Sequence, residues 1–426
     1  MLIKNTVLKG KVNIPPSKSV SHRAIICAAL SEGESVISNL ILSDDTLATI
    51  NCLRLLGANI EYFPEQDDRY KVFVRGGLQE NICPAQPLDC GESGSTLRFL
   101  IPVAAAFGAK CSLVGHGRLV ERPLDSYYEI FDEQGLSYAT ADGRLPLNLN
   151  GKLKSGNFVM RGDISSQFIT GLMFALPLLD GDSKITITTE LESVGYIDLT
   201  FQVMREFGIV IEHNNYKEFF IKGGQRYQAH DYVVEGDYSQ AAFWLVAACL
   251  GNEVVCTGLN PHSLQADKAI LSIIEDLGGQ IVWLDDNTVT CKATATKGCT
   301  IDVSNCPDIA PVLTVLASLS VGQTSIVNAA RLRIKESDRI TSTATELNKL
   351  GAKVTEHTDS MTIDGVQTLG GSAELDSWND HRIAMALAIA CTRSSANNTL
   401  SGHTSVKKSY PSFWSDYRAL GGICEE

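Results

Sequence analysis

Residues 239–250 read Ser-Gln-Ala-Ala-Phe-Trp-Leu-Val-Ala-Ala-Cys-Leu, a helix-forming stretch with no polar stripe along it. A helix that is apolar all round has to be enclosed on every side. Stretches of the same kind stand at 21–30, 95–107, 165–179, 308–319 and 380–391, making six copies that recur about every seventy residues. That period is too long for the common solenoids, whose repeats run to about fifty residues. Each copy also carries a second, amphipathic helix that stops at a glycine: Gly57, Gly135, Gly208, Gly278, Gly351 and Gly421. In the fourth copy Ile270, Ile273, Ile274 and Leu277 fall at i, i+3, i+4 and i+7, one buried stripe. Gly278 then allows the left-handed turn that closes the helix. After the first five of these glycines come two short strand-like segments around a polar turn, such as 59–63 and 70–75. The unit therefore reads as buried helix, strand, amphipathic helix, strand, strand, with a further strand leading into the next helix. Six enclosed helices pack most economically as three per domain, with a boundary near Glu235 and Gly236.

Composition supports a globular chain with more than one core: 44% of residues are hydrophobic and 20% charged. The first dozen residues lack the apolar centre of a signal peptide, and no apolar run reaches the length of a membrane span, so a cytosolic protein is expected. The twelve cysteines show no CxxC pair and no Cys/His cluster at zinc spacing, so they read as reduced thiols, and no metal or other cofactor is implied. A net charge of -13 argues against a nucleic-acid or anionic-membrane partner. Any anion bound here has to meet positive charge gathered locally.

That charge gathers at helix starts, where unpaired N–H groups and the positive end of the macrodipole favour anions. The first copy begins with Pro15, Pro16, Ser17, Lys18, Ser19, Ser21, His22 and Arg23, and the second with Gly91, Glu92, Ser93, Gly94, Ser95, Thr96 and Arg98. The third gives Ser165, Ser166 and Gln167, the fifth Asp308, and the sixth Asn379, Asp380, His381 and Arg382. Loops before the amphipathic helices add Arg118 and Arg122, then Ser193 and Tyr196, then Lys335, Glu336, Asp338 and Arg339, and finally Lys407 and Lys408. Taken singly, these serines and aspartates read as ordinary N-caps and the charge strings as solvated faces. Their recurrence at equivalent places in a repeat points instead to a strongly cationic cleft for one or two small polyanions. The 91–94 stretch is neither a Walker A loop nor a nucleophile elbow.

Three motifs together, Pro-Pro-Ser-Lys-Ser-Val-Ser-His-Arg at 15–23, Lys-Glu-Ser-Asp-Arg at 335–339 and Asn-Asp-His-Arg at 379–382, resemble the 5-enolpyruvylshikimate-3-phosphate (EPSP) synthase family. Gly-Glu-Ser-Gly-Ser-Thr-Leu-Arg at 91–98, Glu-Arg-Pro at 121–123, Ser-Ser-Gln at 165–167 and Lys-Ser-Tyr-Pro at 408–411 extend the resemblance over nearly the whole chain. It implies an α/β (α+β) chain with the enolpyruvyl transferase fold, a two-domain inside-out α/β barrel of six βαβαββ repeats, three per domain. Residues 15–235 would form one domain and 1–14 plus 236–426 the other, with the active site in the interdomain cleft. The implied reaction moves the enolpyruvyl group of phosphoenolpyruvate onto the 5-hydroxyl of shikimate 3-phosphate, through a tetrahedral intermediate and with release of phosphate. By the same resemblance Lys18, Ser19, Arg23, Ser165, Ser166, Gln167, Ser193, Tyr196, Asp308 and Lys335 bind shikimate 3-phosphate. Lys18, Gly94, Arg122, Gln167, Arg339, Arg382 and Lys408 bind phosphoenolpyruvate. Glu336 is the candidate to protonate the methylene carbon and Asp308 to take the hydroxyl proton, with Lys18 as an alternative acid or base. The resemblance further implies a monomer, a place in the shikimate pathway to chorismate and aromatic amino acids, and a glyphosate target, since Gly94 beside a small residue leaves that herbicide room.

The chain departs from the family pattern at Glu92, where asparagine is frequent, and at Ser95, where threonine is. The nearest rival is UDP-N-acetylglucosamine enolpyruvyl transferase, which carries a cysteine in the loop that is 115–123 here; this loop has none. RNA 3'-terminal phosphate cyclase shares related repeats, but the chain lacks a basic, aromatic nucleic-acid track. A non-enzymatic repeat scaffold would not need cations at corresponding helix ends.

Overall fold

The buried hydrophobic side chains sort into two separate cores. In the computed structural model, which describes residues 1–426, one core belongs to a unit formed by Lys18–Val234 and the other to a unit formed by Met1–Ser17 with Glu235–Glu426. Residues 15–17 and 235, counted with the first domain on sequence, lie in the second unit. Backbone hydrogen bonds hold them there: Ser17 N–H donates to Glu235 O and Asp237 N–H to Pro15 O, both at 2.8 Å.

The first unit contains α1 (Lys18–Leu30), α2 (Asp44–Leu55), α3 (Gly94–Ala106), α4 (Asp125–Gln134), α5 (Ser166–Ala175) and α6 (Val194–Glu206). The second contains α7 (Tyr238–Cys249), α8 (Ile270–Asp276), α9 (Ala310–Ser318), α10 (Arg339–Lys349), α11 (His381–Cys391) and α12 (Phe413–Ala419). The odd-numbered helices are the apolar ones. Every residue of α7 is buried, as is every residue of α9 and α11, which is why none of them carries a polar stripe. The glycines that close the amphipathic helices all take positive φ, from 65° at Gly135 to 112° at Gly57. Gly171 in α5 serves closeness instead: a Cβ there would lie 2.3 Å from both Arg98 O and Tyr127 Oη on the neighbouring helices.

Each repeat builds one four-stranded sheet, and all six follow one order. In the second repeat Leu88–Asp89 runs parallel to Lys110–Val114, which then pairs antiparallel with Arg144–Asn150, itself paired with Ser137–Ala141. The parallel step needs a crossover, and the buried helix supplies it. Three sheets are completed by strands distant in sequence. Tyr232–Val233 joins Glu34–Leu40 in the first unit, and Lys9–Asn13 joins Glu253–Thr257 in the second. Leu2–Ile3 closes the sixth sheet, pairing with Asn398–Ser401 on one side and Cys424–Glu425 on the other. No helix is long and apolar enough to cross a membrane.

Candidate active site

In the first unit the helix starts are pinned to each other by polar side chains. Ser43, Ser93 and Ser165 cap α2, α3 and α5, each accepting a backbone N–H from the first turn. A buried chain runs from His22 Nδ1 on α1 to Thr49 Oγ1 on α2 at 2.8 Å, on to Thr96 Oγ1 on α3 at 2.7 Å, and ends at Ser93 Oγ at 2.8 Å. Burial, and then the Lys18 and Arg23 charges, hold the His22 imidazole well below its ordinary pKa, so it is neutral in this chain of hydrogen bonds.

The cations predicted from sequence lie around these starts. Arg23 is buried, its Nε donates to Thr200 Oγ1 at 2.8 Å, and its two Nη groups donate to Ser19 O and Tyr196 O at 2.8 and 3.1 Å. Burial pushes its pKa down to about 10, which still leaves the guanidinium charged at neutral pH. Lys18 Nζ pairs with Asp45 Oδ2 at 2.7 Å. Gln167 Oε1 accepts from Arg98 Nη1 at 2.8 Å, while Gln167 Nε2 donates to Ser95 Oγ at 3.0 Å. Gly94 lies under this group: a Cβ on it would be 2.8 Å from Arg122 Nη1 and 3.3 Å from Gln167 Oε1. Ser166 begins α5, and Ser193 precedes α6 with a left-handed backbone, φ 59°, which turns Tyr196 onto the side of Arg23. The Glu92 carboxylate is turned against the Cα of Gly117, within 2.7 Å of where a Cβ would stand, in the loop that carries Arg118 and Arg122.

In the second unit one guanidinium organises the site. Arg339 has 1% of its side chain exposed and reaches three carboxylates: Asp380 Oδ2 from Nε at 2.8 Å, Asp308 Oδ1 from Nη1 at 2.9 Å and Glu336 Oε2 from Nη2 at 2.8 Å. Only the planar arginine fork can serve three acceptors at fixed angles. Asp308 also accepts from Lys335 Nζ and Arg382 Nη2, each at 3.2 Å. Arg382 is fixed from behind by Ser239 Oγ at 2.9 Å, and Lys408 Nζ donates to Asn379 O at 2.6 Å. Burial works to raise the Asp308 pKa, but Lys335, Arg382 and Arg339 outweigh it and hold the carboxyl well below the usual range. Burial also lowers the Lys335 pKa, against the pull of Asp308.

Lys335, Arg339 and Arg382 are thus matched by Asp308, Glu336 and Asp380, so this cluster is charge-balanced rather than strongly cationic as its sequence suggests. The reason is that buried cations need counter-charges to offset lost hydration.

A family profile described as EPSP synthase (3-phosphoshikimate 1-carboxyvinyltransferase) matches residues 3–417. The chain belongs to the EPSP synthase family. A Clostridium beijerinckii protein named 3-phosphoshikimate 1-carboxyvinyltransferase is 50% identical over 98% of the chain and 97% of its own length. A Clostridium kluyveri protein of the same name is 50% identical over 100% of the chain and 98% of its own. Among solved structures, an EPSP synthase from Acinetobacter baumannii superposes with a TM-score of 0.79 at 27% identity, covering 98% of this chain and 97% of that one. The enolpyruvyl transferase NikO from Streptomyces tendae gives the same TM-score at 17% identity, over 99% and 97%, and so shares the fold.

Within this EPSP synthase framework the structure adds residues that the sequence reading left without a role. Asp45 holds Lys18, Arg98 holds Gln167, and Asp380, besides capping α11, holds Arg339. Asp380 stands in a motif already singled out, and only its partner was illegible. Asp45 gives no signal at all, since an acid in the first turn of an amphipathic helix is commonplace.

Proposed function

We infer that the chain transfers the enolpyruvyl group of phosphoenolpyruvate to the 5-hydroxyl of shikimate 3-phosphate, releasing phosphate and giving 5-enolpyruvylshikimate 3-phosphate. The observation that carries this is the full-length family match, read together with two sets of anion-binding side chains at the helix starts. The reading requires that both sets act on one substrate pair. In the first unit Arg23, Ser19, Ser165, Ser166, Ser193 and Tyr196 take shikimate 3-phosphate, while Gly94, Arg122 and Gln167 take phosphoenolpyruvate and Lys18 serves both. In the second, Asp308 and Lys335 meet shikimate 3-phosphate, and Arg339, Arg382 and Lys408 meet phosphoenolpyruvate.

The depressed pKa of Asp308 gives the cycle its proton logic. Alone, Asp308 is too weak a base to take a proton from a hydroxyl. When the substrate phosphate and carboxylate groups draw on Lys335, Arg382 and Arg339, the charges that hold the Asp308 pKa down are diverted, and its basicity rises as the hydroxyl arrives. Once phosphoenolpyruvate draws Arg339 off it, Glu336 takes up a proton from solvent and delivers it to the methylene carbon, so the hydroxyl oxygen adds to the neighbouring carbon and a tetrahedral intermediate forms. Its collapse breaks the C–O bond to phosphate and returns a proton from the methyl carbon, regenerating the enol ether. We further propose that the enzyme works as a cytoplasmic monomer in the shikimate pathway. The test is phosphate release from purified protein given both substrates without metal or nucleotide, with UDP-N-acetylglucosamine as the control acceptor.

A further inference from the structure

The turn leading into α11 is strained. Trp378 and Asn379 both take left-handed conformations, with φ of 55° and 53°. Asparagine tolerates that region, but tryptophan enters it only where its surroundings force it to. Asp376 Oδ1 accepts the Trp378 N–H at 2.6 Å and shapes the turn locally. A second hold comes from α10. Glu346 stands about two turns beyond Arg339 and so on the same face of that helix. Its side chain is 1% exposed, and a carboxylate so enclosed persists only when paired. Glu346 Oε1 accepts from Trp378 Nε1 at 2.8 Å, and Oε2 accepts the Asp376 N–H at 3.0 Å. Lys349 Nζ, 2.8 Å away, supplies the counter-charge. The turn in turn sets two of the side chains assigned to phosphoenolpyruvate. Asn379 O accepts from Lys408 Nζ at 2.6 Å. Asp380, whose N–H donates to Ser377 O at 2.9 Å, caps α11 and accepts from Arg339 Nε at 2.8 Å. Thus α10 grips one segment twice, through Arg339 at Asp380 and through Glu346 at Asp376 and Trp378.

We propose that Glu346 is a positioning residue for the phosphoenolpyruvate contacts of the second unit, holding the Trp378–Asn379 turn so that Asn379 O meets Lys408 and Asp380 meets Arg339. The proposal rests on the function inferred above. Without the Glu346 bonds the left-handed pair relaxes toward ordinary backbone, and the rotating peptide carries Asn379 O away from Lys408. The ammonium and the guanidinium then lose the fixed placement that a bound anion needs. Asp308 and Lys335, assigned to shikimate 3-phosphate, pair with each other at 3.2 Å rather than with the turn, so that substrate is spared.

The experiment compares the full chain with Trp378→Phe, which keeps an exposed ring and loses only the N–H donor, and with Glu346→Gln, which keeps a single acceptor. Val354→Ala, in the same core but clear of the turn, controls for lost stability, and urea midpoints are recorded for all three. The KM for phosphoenolpyruvate should rise about tenfold in Trp378→Phe and Glu346→Gln, with the KM for shikimate 3-phosphate within about twofold and neither changed in Val354→Ala. Deuterium exchange at the Asp376 and Asp380 amides should quicken about tenfold or more in the two turn variants alone. An unchanged KM for phosphoenolpyruvate, an equal rise for both substrates, the same split in Val354→Ala, or unchanged amide exchange overturns the proposal. If Glu346→Gln does not fold, Trp378→Phe decides alone. Should the parent protein release no phosphate, the functional reading fails while amide exchange still decides whether Glu346 holds the turn.

Discussion

Replacing Gly94 with alanine isolates the phosphoenolpyruvate side of the site. The added methyl would stand 2.8 Å from Arg122 Nη1, 3.3 Å from Gln167 Oε1 and 3.4 Å from Arg98 Nη1. The closest of these is short of ordinary contact by about 0.6 Å, so something has to move. Gly94 opens α3 without a positive φ, so alanine is unstrained there and improves helix propensity. What gives way is the Arg122 guanidinium, the far end of a flexible side chain. Losing one well-aligned charge-assisted hydrogen bond costs about 1.5–3 kcal/mol. The KM for phosphoenolpyruvate should therefore rise by about 10- to 150-fold. The KM for shikimate 3-phosphate should stay within about twofold, because Arg23 and the serines at the starts of α5 and α6 are not displaced. Steady-state phosphate release with each substrate varied in turn measures both. An unchanged KM for phosphoenolpyruvate, or an equal rise for the two substrates, would show that Gly94 and Arg122 do not form that subsite.

Glu336→Gln keeps the size and one acceptor for Arg339 but has no proton to give; kcat should fall by about 10²- to 10⁴-fold while equilibrium binding of both substrates, measured by calorimetry, is retained. Near-normal turnover would remove Glu336 from the carbon-protonating role. For Asp308 the folded pKa lies below the unfolded one, so its contribution to stability is complete above the ordinary carboxylate value near 3.9 and is lost as pH falls through the depressed value. Asp308→Asn should accordingly lower the urea midpoint of the second unit at pH 7 and flatten its further decline below about pH 4, whereas an identical acid slope in variant and parent would contradict the ion-pair account.

The repeat was legible because it is local. Apolar helices such as 239–250 and the closing glycines announce themselves within about twenty residues, and their positive φ values follow from helix termination alone. Strand exchange was not. Nothing in the pattern of 9–13 or 232–233 says which sheet either will join, since pairing across more than two hundred residues leaves no periodic mark; family resemblance alone assigned the first dozen residues to the second half. Of the site, the charged residues were readable but their pairings were not. Lys335, Arg339 and Arg382 stand near Glu336, Asp338 and Asp380 in the sequence, but only the folded chain shows which carboxylates they meet, with Asp308, Glu336 and Asp380 within 3.3 Å of them. Arg339 in particular reads as part of a solvated charge string, yet its place at the start of α10 buries it.

The measurement closest to the central claim is a stoichiometric assay of the purified protein, following inorganic phosphate and the enol ether product together. With shikimate 3-phosphate and phosphoenolpyruvate the account predicts one phosphate released per enol ether formed, without added metal or nucleotide, and no release when UDP-N-acetylglucosamine replaces the shikimate. Release with the UDP-sugar, or none with shikimate 3-phosphate from correctly folded protein, would contradict it.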